Sequence, residues 1–205
     1  MYSALILAGG KGSRLGYREK ALIDIKDRPL IAIVIESLEK AVDNIIISVR
    51  DREQGELLDS RLPGLVKQSY TLAYDAYKEK GPLAGILSGL LACRDELCFI
   101  AACDMPFINE SVVKMLLGEC EHYDAAIPRW GDGFLEPLHA VYRRTPMIRE
   151  TKKAIERGET IILAPVFRLN VNYVAVNDIR KLDPELRTFI NINTYEDIEK
   201  LSEMF

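Results

Sequence analysis

With 205 residues, 48% of them hydrophobic and 28% charged, the chain is long enough for a sizeable core and has the composition of an ordinary soluble globular protein. A formal net charge of -4 argues against a broad nucleic-acid-binding surface, which shows as a basic excess, but leaves room for a local basic pocket. No apolar run reaches the roughly 18 residues of a membrane span, and "MYSALILAGG" lacks the basic n-region of a signal peptide. The expectation is a cytoplasmic chain, monomer or small homo-oligomer, with neither nucleic acid nor membrane as partner. Cys93, Cys98, Cys103 and Cys120 form no CxxC pair and fall in apolar segments, so they read as reduced, buried thiols.

In chain order, Ser3–Ala8 is a short apolar strand that runs into a glycine-rich loop. Pro29–Lys40 has helical spacing with proline in its first turn, and Asn44–Val49 is a β-branched strand. Arg52–Arg61 is a polar helix ending before Pro63-Gly64, and "LVKQ" (Leu65–Gln68) is a short strand candidate. Leu83–Cys93 is a helix rich in small residues, followed by the buried strand Leu97–Ala102. Asn109 or Ser111 caps a helix reaching about Glu121, and Asp124–Pro128 and Glu136–Arg143 read as strands flanking the turn "RWGDGF". Met147–Arg157 is helical up to Gly158, Tyr173–Val176 is a strand, and Thr194 caps a closing helix to Met204. Strands alternating with helices imply one α/β domain, residues 1–205, with a mostly parallel sheet covered by helices on both faces.

In such a sheet, ligands bind beyond the carboxyl ends of the strands. The loop "LAGGKGSRLGYREK" lies there, with four glycines among Lys11, Arg14, Arg18 and Lys20, a composition suited to an anion. It does not have the GxxxxGK[ST] spacing of a P-loop, and Gly10, Gly12 and Gly16 give GxGxxxG, one residue longer than the dinucleotide fingerprint. Asp104 stands just beyond the strand "LCFIAA", where a carboxylate either ligates Mg2+ beside phosphate oxygens or caps a turn before Pro106. Asn191 and Asn193 alternate in "FININT" as if on a strand, pointing the same way.

The pattern Leu7–Leu30, LAGGKGSRLG…EKAL…RPL, resembles the signature of sugar-nucleotide and cofactor nucleotidyltransferases. "GPLAG" (Gly81–Gly85), "CDMPF" (Cys103–Phe107), "EPLHAVYRR" (Glu136–Arg144) and the closing "NINTYED" together resemble the molybdenum cofactor guanylyltransferase (MobA-like) family from Leu7 to Asp197. The resemblance implies a Rossmann-like three-layer α/β/α nucleotidyltransferase fold. It also implies that GMP passes from GTP to molybdopterin, with Mg2+ as cofactor and pyrophosphate as product. Leu7, Ala8 and Gly9 would then contact guanine and ribose, with Gly10, Lys11 and Gly12 completing the loop around the triphosphate. Arg14 and Lys20 would neutralise its phosphates. Ser48 stands at the family's base-contacting position, Asp75 at that of the aspartate before GPLAG after a one-residue gap, and Gly81 opens the GPLAG turn. Asp104 and Asn193 would hold the metal. Asn191 and His139 would face the acceptor, although a histidine in a strand is also an ordinary core residue.

Several positions depart from that pattern. The family's R-M-G-G-x-D-K is Arg14-Leu15-Gly16-Tyr17-Arg18-Glu19-Lys20 here, and its N-x-N-R is Ser48-Val49-Arg50-Asp51. These changes leave other readings open: transfer from CTP to molybdopterin, guanylyl transfer to cobinamide phosphate, or a non-catalytic nucleotide-binding protein on the same scaffold.

Overall fold

A computed structural model describes residues 1–9, 11–12, 18–77 and 81–204. A seven-stranded sheet forms from β1 (Ser3–Leu7), β2 (Asn44–Val49), β3 (Tyr70–Tyr74), β4 (Leu97–Ala102), β5 (Ala125–Arg129), β6 (His139–Arg143) and β7 (Val171–Ala175). The spatial order is β3-β2-β1-β4-β6-β5-β7. All strands run parallel except β6, which is antiparallel to both neighbours. The chain builds outward from β1 to β3, then returns through α3 (Pro82–Ala92) to place β4 on the other side of β1. That reversal makes the crevice beyond Leu7 and Ala102, which are paired in register, the topological switch point.

Alternation along the strands builds two apolar layers. Ala4, Ile6, Phe99 and Ala101 face α1 (Leu30–Leu38), α2 (Arg52–Arg61) and α4 (Glu110–Glu119). Leu5, Ile46, Cys98 and Ile100 face α3 and α5 (Arg144–Glu156). Helix α1 is apolar almost all round because it is covered twice. Its second cover is a small cluster of Ile25, Leu30, Ile33 and Ile192, backed by Ile198 of α8 (Tyr195–Met204). Gly85 and Gly89 let α3 lie close on the sheet: a methyl group at Gly89 would sit 2.2 Å from Leu5 Cδ1, and one at Gly85 2.6 Å from Ser48 Oγ. No helix among the described residues is long and apolar enough to cross a membrane. All four cysteines are free and buried.

The structure corrects two expected strands. Leu65–Gln68 is turn and bend, following Gly64 at φ +79°, and the missing strand is β3, five residues further on. Residues 190–193 form no ladder; Ile192 N donates to Asp104 O at 2.9 Å, and that bond joins the segment to the end of β4. The alternation itself survives, with Ile192 buried between two exposed asparagines. Two helices of four residues, α6 (Leu163–Val166) and α7 (Val176–Ile179), were not anticipated.

Candidate active site

Three predicted residues from distant parts of the chain meet at the switch point. Lys20 Nζ donates to Asp104 Oδ2 at 2.5 Å and to Asn193 Oδ1 at 2.9 Å. Each is carried there by local structure. Lys11–Gly12 pairs antiparallel with Arg18–Glu19, and a 3-10 turn over Lys20–Leu22 follows, anchored by buried Ala21. Asp104 lies two residues beyond β4, where Cys103 N donates to Leu7 O at 3.2 Å and ties the ends of β1 and β4 together. Asn193 precedes a reciprocal helix cap. Asp197 accepts from the backbone of Asn193 and Thr194, each at 2.8 Å, and Thr194 Oγ1 accepts from Asp197 N at 3.2 Å.

Asp104 Oδ1 is buried without a hydrogen-bond partner among the described residues. A carboxylate oxygen left in that state is costly, and it is the hard donor that a divalent cation takes. With the Asn193 amide oxygen alongside, the residues fit Mg2+ held by one carboxylate, one carbonyl-type oxygen and substrate phosphates. No cluster of three or more His, Cys, Asp or Glu suited to a metal occurs among the described residues, and such a cluster is not what a phosphate-bridged Mg2+ site needs.

On the β2–β3 side, Ser48 Oγ donates to Asp75 Oδ1 at 2.9 Å. Burial raises the Asp75 carboxyl above its ordinary range, and the Ser48 hydroxyl and Arg50 oppose that rise. The open backbone of Gly9 is close by: a methyl group there would meet Asp75 Oδ2 at 3.5 Å and Arg50 N at 3.6 Å. Leu7, Ala8, Gly9, Ser48 and Asp75 thus form one packed wall at the ends of β1, β2 and β3, with Ala8 and Ser48 buried. Gly81 caps α3 with φ +56°, a left-handed conformation that favours glycine. Gly10 and Arg14 lie outside the described residues, and Lys11 and Gly12 enter only through their backbone pairing.

Sequence reasoning missed the floor beneath this wall. Gln54, 1% exposed, donates from Nε2 to Ala8 O at 2.8 Å and to Glu19 Oε2 at 2.7 Å. Arg50 Nη2 donates to Glu19 Oε1 at 2.7 Å. A polar residue on the inner side of an otherwise exposed helix was the available signal.

The acceptor side holds a correction. His139 has no exposed surface; its ring packs edge-on against Phe99 and Phe189, each centroid 5.0 Å away. Its Nε2 lies 3.0 Å from Thr188 Oγ1, and Nδ1 is buried without a partner among the described residues. Burial pushes the imidazole down to about 3, so it is a neutral core residue and not a contact for an anionic acceptor. The register of β6 opposite β4 turns it inward, with His139 paired to Ala101. Asn191 is exposed and its Nδ2 donates to Phe189 O at 3.2 Å. The turn "RWGDGF" closes on itself, Trp130 N donating to Phe134 O at 2.8 Å, and Trp130 Nε1 donates to Glu136 Oε1 at 2.8 Å.

A family model described as MobA-like NTP transferase domain matches residues 4–169. A probable molybdenum cofactor guanylyltransferase from Methanosarcina mazei is 46% identical over 97% of this chain and 89% of its own. The crystal structure of molybdopterin-guanine dinucleotide biosynthesis protein A from Archaeoglobus fulgidus superposes with a TM-score of 0.82 at 35% identity, covering 98% of this chain and 97% of the other. The fold extends to a 4-diphosphocytidyl-2C-methyl-D-erythritol synthase from Anaerococcus prevotii, with a TM-score of 0.72 at 16% identity over 99% and 95% of the two chains. Similarity in sequence and in fold runs over nearly the full length, and the chain belongs to the MobA-like NTP transferase family of nucleotidyltransferase enzymes.

Proposed function

We propose that the protein transfers GMP from GTP to molybdopterin and releases pyrophosphate, with Mg2+ as cofactor. The observation that carries this reading is the convergence of Lys20, Asp104 and Asn193 at the switch point. The names of the full-length relatives support the guanylyl donor and the acceptor.

The chemistry follows from charge. A terminal phosphate of the acceptor has a second pKa of about 6 and is already a competent nucleophile near neutral pH. An oxygen of that phosphate bonds to the α-phosphorus of GTP, and the bond from the α-phosphorus to the bridging oxygen breaks, its electron pair leaving with pyrophosphate. The barrier lies in bringing anions together and aligning them in line. Lys20, with Arg14 from the loop, screens the triphosphate. Asp104 and Asn193 would hold Mg2+, which when bound supplies charge neutralisation at the phosphate oxygens. Asp75 and Ser48 would read the nucleoside, and the exposed Asn191 amide would meet the acceptor. A covalent route through Cys103 is disfavoured, because burial and the neighbouring Asp104 push its thiol up to about 12.

The test is pyrophosphate release by purified protein with Mg2+, molybdopterin and each NTP in turn. GTP-dependent release is expected. Release with CTP alone would overturn the guanylyl assignment, and nucleotide binding without release would point to a non-catalytic role.

A further inference from the structure

Glu19 and Arg50, two residues at which the chain departs from its family's pattern, meet each other in space. Both Glu19 oxygens are engaged, Oε1 by Arg50 Nη2 and Oε2 by Gln54 Nε2, each at 2.7 Å. Gln54 also donates to Ala8 O at 2.8 Å and accepts from Arg50 N at 2.8 Å. Asp51 closes the network, accepting from Gln54 N at 2.9 Å and from Arg50 Nε at 2.8 Å. The trailing end of the glycine loop is thereby fastened to the ends of both β1 and β2 at once.

We infer that Glu19, Gln54 and Arg50 form a latch that positions Lys20, the residue next to Glu19 in the chain. This inference rests on the phosphate-binding role proposed for Lys20. A carboxylate has the wrong sign to contact the triphosphate's oxygens, and both Glu19 oxygens are already engaged, so Glu19 acts through its neighbour. The Arg50 guanidinium offsets its charge, and Gln54, almost fully buried, fixes its orientation. From the latched backbone the Lys20 side chain reaches Asp104 and Asn193, 84 and 173 residues away in the chain. A loop end free to shift would displace the ammonium, and a displacement of about 1 Å at a reacting group can cost on the order of 100-fold. Glu19 is a positioning residue on this account.

The test is a double-mutant cycle of Glu19→Ala and Lys20→Met, read as pyrophosphate release and as affinity for GTP with Mg2+ measured by calorimetry. Glu19→Ala is expected to lower turnover about 10- to 100-fold, to weaken affinity for the Mg2+–GTP pair, and to add no further loss in either readout once Lys20 is Met. Glu19→Asp, one methylene shorter, should recover part of the loss. A latch with a merely structural role would give the same fold-loss in both backgrounds, which would overturn the inference, as would full activity and affinity in Glu19→Ala. A wild type that binds GTP without releasing pyrophosphate would defeat the proposed reaction, while the affinity cycle would still decide the latch. A wild type that binds no nucleotide would overturn both.

Discussion

The sheet edge on the β1–β2 side and the edge beyond β4 on the β6 side are built differently. On the first, buried Ser48 and Gln54 pair with side chains that keep some exposure, Ser48 with Asp75 and Gln54 with Glu19, and Glu19 pairs in turn with part-exposed Arg50. On the second, polar groups are sealed inside. His139 and Thr188 are fully buried, and Tyr142 is fully buried with its hydroxyl donating to Pro137 O at 2.8 Å. The second stretch matches a family motif, whereas Ser48, Glu19 and Arg50 stand where the first departs from one. The lesson is that a matching motif marks packing where the strand register turns its residues inward. The "PLHAVY" segment is of this kind.

Removing the charge at the crevice should break this comparison most severely. Asp104→Ala takes away the carboxylate with the orphaned oxygen, and turnover should fall on the order of 1000-fold, measured as pyrophosphate release. Lys20→Met should follow, with a loss on the order of 100-fold that appears in turnover and in GTP affinity. Packing without chemistry is probed at Gly89, whose added methyl would meet fully buried Leu5 at 2.2 Å. Gly89→Ala should destabilise the fold by about 1–3 kcal/mol in chemical denaturation, as overpacking does.

At neutral pH the smallest effect comes from the sealed side. His139 titrates at about 3 when folded and near 6.5 when unfolded, so between those values only the unfolded chain takes up the proton. The stability this contributes is complete above pH 6.5 and is lost as pH falls toward 3, by up to about 1.4 kcal/mol per pH unit. In His139→Gln that part of the slope should vanish from urea melts between pH 4 and 6.5, while turnover at neutral pH stays as in the wild type. A drop in turnover would return His139 to the acceptor site.

The alternation of strands and helices was legible because buried parallel strands such as "NIIISV" and "LCFIAA" are continuous apolar runs bounded by turns. Strand β3 was not, since "YTLAY" is an edge strand with one buried residue, Ala73, and no apolar–polar alternation to mark it. Asp104, Lys20 and Asn193 were legible one at a time, by position after a strand or within a motif. Their convergence is a product of topology. The Gln54 latch was hidden because its partners, Ala8, Glu19 and Arg50, lie between 4 and 46 residues from it in the chain. His139 was misread because strand alternation does not say which face is sealed until the neighbouring strands are known.

The central claim, that Lys20, Asp104 and Asn193 are the metal and phosphate centre, is tested most directly by the Mg2+ dependence of GTP affinity in the wild type and in Asp104→Ala. The account predicts that Mg2+ tightens GTP binding to the wild type and that Asp104→Ala loses this gain while still folding. An undiminished gain from Mg2+ in Asp104→Ala would contradict it.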